Sequence, residues 1–192
     1  MGVYDVPIDD PKAFETLGRG DTLGVFQLES DGMRKNIKLL KPTTINDLAA
    51  MIALYRPGPM EHIGTFIEAK HGRAEISYPH EDLRELLEPT YGVLVYQDQV
   101  MLIAQTFGGY TLGEADILRK AMGKKITSVM NAEHEKFKTG ALKKGYTEDQ
   151  ANTVFELMAP FAGYGFNKAH AVSYAYIAYW TAYFKANYPT EY

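Results

Sequence analysis

Residues 161–170 read Phe161-Ala-Gly-Tyr-Gly-Phe-Asn-Lys-Ala-His170, and the stretch that follows, Ala169 to Asn187, reads as one helix rich in Ala and Tyr. Asn167 suits the N-cap of that helix, because its side-chain oxygen can accept from the free N–H groups of the first turn. Gly163 and Gly165 permit backbone conformations that larger residues resist, and they let another group come close. A helix N-terminus carries partial positive charge and unpaired donors. Lys168 and His170 fall in that first turn, where cations are unfavourable unless an anion or polar ligand is near. The mismatch marks a candidate site.

Around this motif lies an ordinary globular composition. A chain of 192 residues, 46% hydrophobic and 23% charged, can bury a sizeable core. It contains no cysteine, which excludes disulfides and thiolate-held metals. No run approaches the roughly 18 apolar residues of a membrane span, and Met1-Gly-Val-Tyr-Asp5 lacks the basic and apolar segments of a signal peptide. A cytoplasmic location and no membrane partner are therefore expected. The net charge of −4 argues against a general DNA-gripping surface. It is unevenly spread: −6 over residues 1–110, +4 over 111–145, −3 over 146–160 and +1 over 161–192. Positive charge thus gathers just before the glycine-rich motif.

The local pattern is mostly α, with one or two short strands at most. Asp9-Asp10-Pro11 starts a short helix through about Leu17, with Pro at the first helical position. Leu23 to Leu28 is weakly strand-like. Ser30 caps a helix through about Leu40 that carries Arg34, Lys35 and Lys38 on its polar side. Thr43 or Thr44 then begins another, whose Ile45, Leu48, Ala49, Ile52 and Ala53 follow the spacing of a buried face. Arg56-Pro-Gly-Pro59 stops it. Glu61 to His71 reads as helix with Gly72 as its C-terminal cap, 72–80 as loop, and His80 or Glu81 to Leu87 as helix. Gly92-Val-Leu-Val-Tyr96 is either a strand or an extended core segment, and Gln97 to Phe107 is helical. Thr111-Leu-Gly-Glu114 and Thr147-Glu-Asp-Gln150 are capping boxes. The first opens a helix to about Met122, after which Gly123 presents Lys124 and Lys125 on a turn. A helix over 127–144 follows. The second box opens a helix to Met158, and Pro160 follows.

Arg119, Lys120, Lys124 and Lys125 lie at a helix end, where cations complement the dipole, so a solvated face accounts for them. They also form an anion clamp, Arg offering a planar bidentate fork and Lys a mobile point charge. The ladder Tyr174, Tyr176, Tyr179, Trp180, Tyr183, Phe184 and Tyr188 spreads around its helix as core aromatics do; Tyr174, one turn after His170, is the exception. Asp9-Asp10, Glu81-Asp82 and Glu114/Asp116 are the acidic groups closest to a metal-binding pattern, and each is explained more simply as a helix N-terminal acid. His62, His71, His80 and His134 have no metal-ligand spacing. These residues alone describe a helical anion-binding module, with a non-catalytic nucleic-acid-binding module and a protein-docking helical scaffold as alternatives.

Five stretches in order carry a resemblance: Gly24-Val-Phe-Gln-Leu-Glu-Ser30, Ala53-Leu-Tyr-Arg-Pro-Gly-Pro59, Tyr91-Gly-Val-Leu-Val-Tyr-Gln97, Gly109 to Lys125, and Phe161 to Pro189. Together they resemble the fingers of the C-family bacterial replicative DNA polymerases, the alpha subunit of DNA polymerase III. The resemblance implies a single piece of the fingers, truncated at both ends, with 1–110 as an N-terminal helical part and 111–192 facing the nucleotide. It implies that Arg119, Lys120, Lys124 and Lys125 hold the triphosphate of an incoming dNTP. By the same resemblance Gly165, Asn167, Lys168, His170 and Tyr174 line the sugar and base pocket, with His170 rejecting ribose. Arg56 would fix a turn against the palm or the template. Gln27, Gln97 and Gln99 fall in matched motifs and are given no role. The catalytic aspartates of the palm, and most ligands of the Mg2+ that the intact enzyme uses, belong outside this chain, which is therefore expected to be inactive alone. Implied partners are primer-template DNA, the palm and thumb, the sliding clamp and other replisome subunits.

Overall fold

The computed structural model describes residues 2–124, 127–162 and 164–192. Its helices are α1 (Pro11–Gly18), α2 (Asp31–Leu40), α3 (Ile45–Leu54), α4 (Ile63–Lys70), α5 (Arg84–Leu87), α6 (Gln97–Thr106), α7 (Leu112–Lys124), α8 (Thr127–Lys143), α9 (Glu148–Ala162) and α10 (Lys168–Asn187), joined by short 3-10 turns. No strand occurs among the described residues beyond one isolated parallel bridge, Tyr96 with Phe166. Mostly helical character is as expected. The chain forms two compact units, residues 1–71 with 168–192, and residues 72–167.

In the first unit, α10 packs against α3 and α1. Ala171, Ala175, Ala178 and Ala182 recur every three or four residues and are fully buried, forming a smooth stripe that allows close helix approach. Opposite it, α3 is buried along residues 47–54, more completely than its single apolar face suggested. Tyr179 is also fully buried, yet its hydroxyl accepts from the Asp10 amide at 2.8 Å and donates to the Pro7 carbonyl at 2.7 Å. Burial pushes that phenol up to about 12. Most of the other aromatics of α10 are only half-buried.

Three sequence expectations are corrected. Leu23–Leu28 is a run of turns: Val25 and Leu28 donate to carbonyls three residues back, and Gly24 and Gln27 have φ of 76° and 63°. Thr22 closes the loop by donating its hydroxyl to the Leu28 carbonyl at 2.6 Å. Helix α7 runs through Gly123 and includes Lys124, because a single glycine weakens a helix without ending one. Helix α9 likewise continues through Pro160 to Ala162. Elsewhere the caps fall as read: Asp10, Ser30 and Thr44 accept from backbone amides three residues on.

Asp47 ties the first unit together. Its carboxylate accepts from the amides of Thr43 and Thr44 at 2.9 and 3.1 Å, and it pairs with Lys70 Nζ at 3.0 Å. The two side chains are only 2% and 8% exposed. Replacing Asp47 with Ala strands a buried ammonium and two backbone donors. We expect Asp47→Ala to lose about 3 kcal/mol or more of stability, read as a lowered urea midpoint.

Candidate functional site

Within the second unit, α6 to α9 enclose a core that includes Leu94, Val100, Ile103, Phe107, Leu118, Phe137, Val154 and Met158. Gln99, 5% exposed, sits at its edge with the amide fully engaged. Oε1 accepts from the amides of Val95 and Tyr96 at 2.9 and 3.0 Å. Nε2 donates to Thr90 Oγ1 at 2.8 Å and to the Leu86 carbonyl at 3.3 Å. A side chain thereby supplies what a neighbouring strand would, and residues 93–96 remain extended without a sheet.

The other edge of that segment receives the glycine-rich motif. Phe166 donates to the Val95 carbonyl at 3.3 Å, and Gln97 donates to the Phe166 carbonyl at 3.0 Å. Gly165 is fitted against Gln97: a Cβ at this position would meet the Gln97 backbone N and Cα at 3.0 Å. Glycine is needed for this close approach. The side-chain oxygen of Gln97 in turn accepts from Arg119 Nη1 at 3.2 Å.

Arg119 projects from α7, which Ala115 and Leu118, both fully buried, fix to the core. Its Nε and Nη2 donate to Asp116 Oδ1 at 3.1 and 2.7 Å. Lys120 reaches Asp116 Oδ2 at 2.6 Å. Hydrogen bonds from Lys120 and then Arg119 hold the Asp116 carboxyl below its ordinary range. Two cations thus share one carboxylate, with side-chain exposures of 27% for Arg119 and 62% for Lys120. The structure therefore brings together Gln97, Asp116, Arg119, Lys120, Gly165 and Phe166. Asp116, read from the sequence as a helix N-terminal acid, instead pairs with residues three and four further along α7, a spacing that could have revealed the pair; nothing in the sequence marked the part played by Gln97.

The other predicted residues are placed as follows. Lys124 is the last residue of α7, while Lys125 and Gly163 lie outside the described residues. Asn167, exposed, precedes α10, and Lys168 opens that helix. In the first unit, the His170 and Tyr174 rings lie 4.1 Å apart, and Tyr174 meets Phe26 edge-on at 5.2 Å. Arg56 donates from Nε to the Ala53 carbonyl at 2.9 Å, closing the C-terminus of α3. Asp10 and Glu114 are capping acids, Glu81 pairs with Arg84, and Asp82 accepts from the Tyr146 hydroxyl at 2.6 Å. Among the described residues no three His, Asp or Glu side chains converge as a metal site. No helix of the described residues is long and apolar enough to cross a membrane.

Residues 1–145 match the bacterial DNA polymerase III alpha subunit finger domain. Over 187 residues the chain is 55% identical to the DNA polymerase III subunit alpha of Borreliella burgdorferi, covering 97% of the chain and 16% of that protein. It is 54% identical over 189 residues to the subunit of Bacillus subtilis (98% and 17%) and 52% identical over 195 residues to that of Thermus aquaticus (98% and 16%). The chain belongs to the bacterial DNA polymerase III alpha subunit finger domain family, and it spans about a sixth of the length of these relatives.

Two tests address how the site is held. Gly165→Ala places a methyl against the Gln97 backbone, and we expect it to destabilise the second unit by about 1–3 kcal/mol and to shift the Gln97 and Phe166 amide resonances. Glu114 accepts from the Thr111 amide and hydroxyl, both at 2.8 Å, and pairs with Lys136 at 3.0 Å. The Thr111 backbone bond, then its hydroxyl and Lys136, lower its carboxyl from 4.5 to about 2. A depressed carboxyl stabilises the fold above its unfolded value, and that contribution is lost as pH falls toward the folded one. Thermal melts from pH 5 to pH 2 should therefore fall less steeply for Glu114→Gln than for the unaltered chain.

Proposed function

We propose that this chain is the nucleotide-handling fingers segment of a DNA-directed DNA polymerase, and that Arg119 and Lys120 receive the triphosphate of the incoming dNTP. The observation that carries this reading is the paired cation site on α7. A guanidinium fork held at Nη1 by Gln97 stands beside a mobile ammonium, and both already grip an oxyanion, Asp116. Phosphate oxygens satisfy the same donors in the same geometry. Lys124 and Lys125, next along the chain, are assigned to the same triphosphate.

On this reading Gly165, Asn167, Lys168, His170 and Tyr174 form the wall for sugar and base. Tyr174, packed on Phe26, backs the His170 ring, and a bulky ring there would exclude a 2′-hydroxyl. The whole enzyme performs nucleotidyl transfer: the primer 3′-hydroxyl attacks the α-phosphate and pyrophosphate leaves. Positioned charge contributes heavily to such chemistry. Magnesium takes its ligands, and the reaction its catalytic carboxylates, from the palm, so the isolated chain does not polymerise. Primer-template DNA, the thumb, the sliding clamp and the rest of the replisome complete the assembly.

A residue-resolved NMR titration with Mg-dNTP tests this. Shifts at Arg119 and Lys120 that saturate together with those at Gly165–Tyr174 are expected. Arg119→Ala should weaken the apparent affinity by about ten-fold or more, the loss of a charge-assisted bidentate contact. Undiminished binding by Arg119→Ala would show that the nucleotide's phosphates sit elsewhere.

A further inference from the structure

We infer that Asp116 is the resident anion of the Arg119–Lys120 clamp, so that a phosphate enters by exchange, and that Asp116 sets how strongly charged an entering anion must be. This rests on the reading that these two cations hold phosphate. Both carboxylate oxygens are committed, Oδ1 to the Nε and Nη2 edge of Arg119 and Oδ2 to Lys120 Nζ. That edge is the fork a phosphate would use. It therefore has no room for both anions, and a phosphate can take it only as Asp116 gives it up. Arg119 Nη1 is bonded instead to the neutral Gln97 oxygen at 3.2 Å. Gln97 has no charge to lose in the exchange, so it can keep the guanidinium in place while the opposite edge changes partner.

The strength of the resident pairs suits this role. Asp116 is partly exposed and sits three and four residues from its partners on one helix. Pairs of this kind are individually weak and screened by salt. A phosphate chain carrying several charges overcomes them. A small singly charged anion offers no more than the carboxylate already there, and the displaced Asp116 stays nearby to repel it. The neighbouring acid on α7, Glu114, is engaged with Thr111 and Lys136, so it does not take over when Asp116 is removed.

The test is calorimetric titration of the chain with sodium tripolyphosphate, and in parallel with a single-stranded oligothymidylate, at low salt. Asp116→Asn is expected to bind tripolyphosphate about three- to five-fold more tightly than the unaltered chain, the scale of two exposed pairs released. The gain should shrink at 0.5 M salt, as a screened interaction must. Asp116→Glu keeps the charge and should restore most of the original affinity. The gain should vanish when Asp116→Asn is combined with Arg119→Ala, which a purely structural effect of the substitution would not do. Unchanged or weaker binding by Asp116→Asn, with Arg119→Ala still impaired, overturns the exchange alone. If Arg119→Ala binds tripolyphosphate as tightly as the unaltered chain, the phosphate reading falls and takes the exchange with it. A gain confined to the oligonucleotide would make the entering group a DNA phosphodiester and overturn the assignment to a nucleotide's phosphate chain.

Discussion

Gln99 uses all four of its hydrogen-bonding positions inside the second unit, and the arrangement around Arg119 depends on it. The amides of Val95 and Tyr96 point into a core with no strand to receive them; the Gln99 oxygen does so instead, while its nitrogen is held by Thr90 and Leu86. An unsatisfied buried amide costs more than a made hydrogen bond returns, so this one side chain decides whether residues 93–96 can stay extended. Only because they do can Phe166 bridge to Val95 and Gln97, and only then does Gln97 stand where Arg119 can reach it. A buried, fully satisfied polar network of this kind specifies a single local structure.

The site combines that rigidity with weak outer contacts. Helix α7 is anchored through Ala115 and Leu118 in the core, and Gln97 fixes one end of the guanidinium. Beyond that anchor the cations rest on a single partly exposed carboxylate. Interior contacts resist change because interiors are densely packed, whereas surface ion pairs exchange partners at little cost. On the proposed reading, in which the site holds a polyanion and later releases it, this division is what is needed: a fixed base, and outer bonds near balance.

Much of the fold was legible because it is local. Helix starts announced themselves through Asp10, Ser30, Thr44 and Thr111, whose capping chemistry acts within three residues. Errors arose where a residue's usual effect was outweighed by its neighbours: helix ends were read at Met122, before Gly123, and at Met158, before Pro160, and the helices run on through both. Leu23–Leu28 was misread because alternation alone does not separate a strand from consecutive turns; the left-handed backbone at Gln27 leaves no mark in the pattern. At the site, Arg119 and Lys120 were found as charges, but their tie to Gln97 spans 22 residues. Gln97 and Gln99 stand two apart and look alike in the sequence, yet one is buried as a surrogate strand and the other braces an arginine. Only tertiary geometry separates them.

The first turn of α10 raises the same question of charge placement. Lys168 and His170 stand where the helix dipole disfavours cations, and residues 161–190 contain neither Asp nor Glu. The His170 ring lies against Tyr174 one turn on, itself packed against Phe26. A ring held by rings keeps its position whether or not an anion is present, so its placement does not wait on ligand binding. By contrast, Arg119 is held partly by an anion, Asp116, which on the proposed reading an incoming one replaces. Shape at one turn and charge at the other are thus maintained by different forces, and salt, which screens the second, should leave the first untouched.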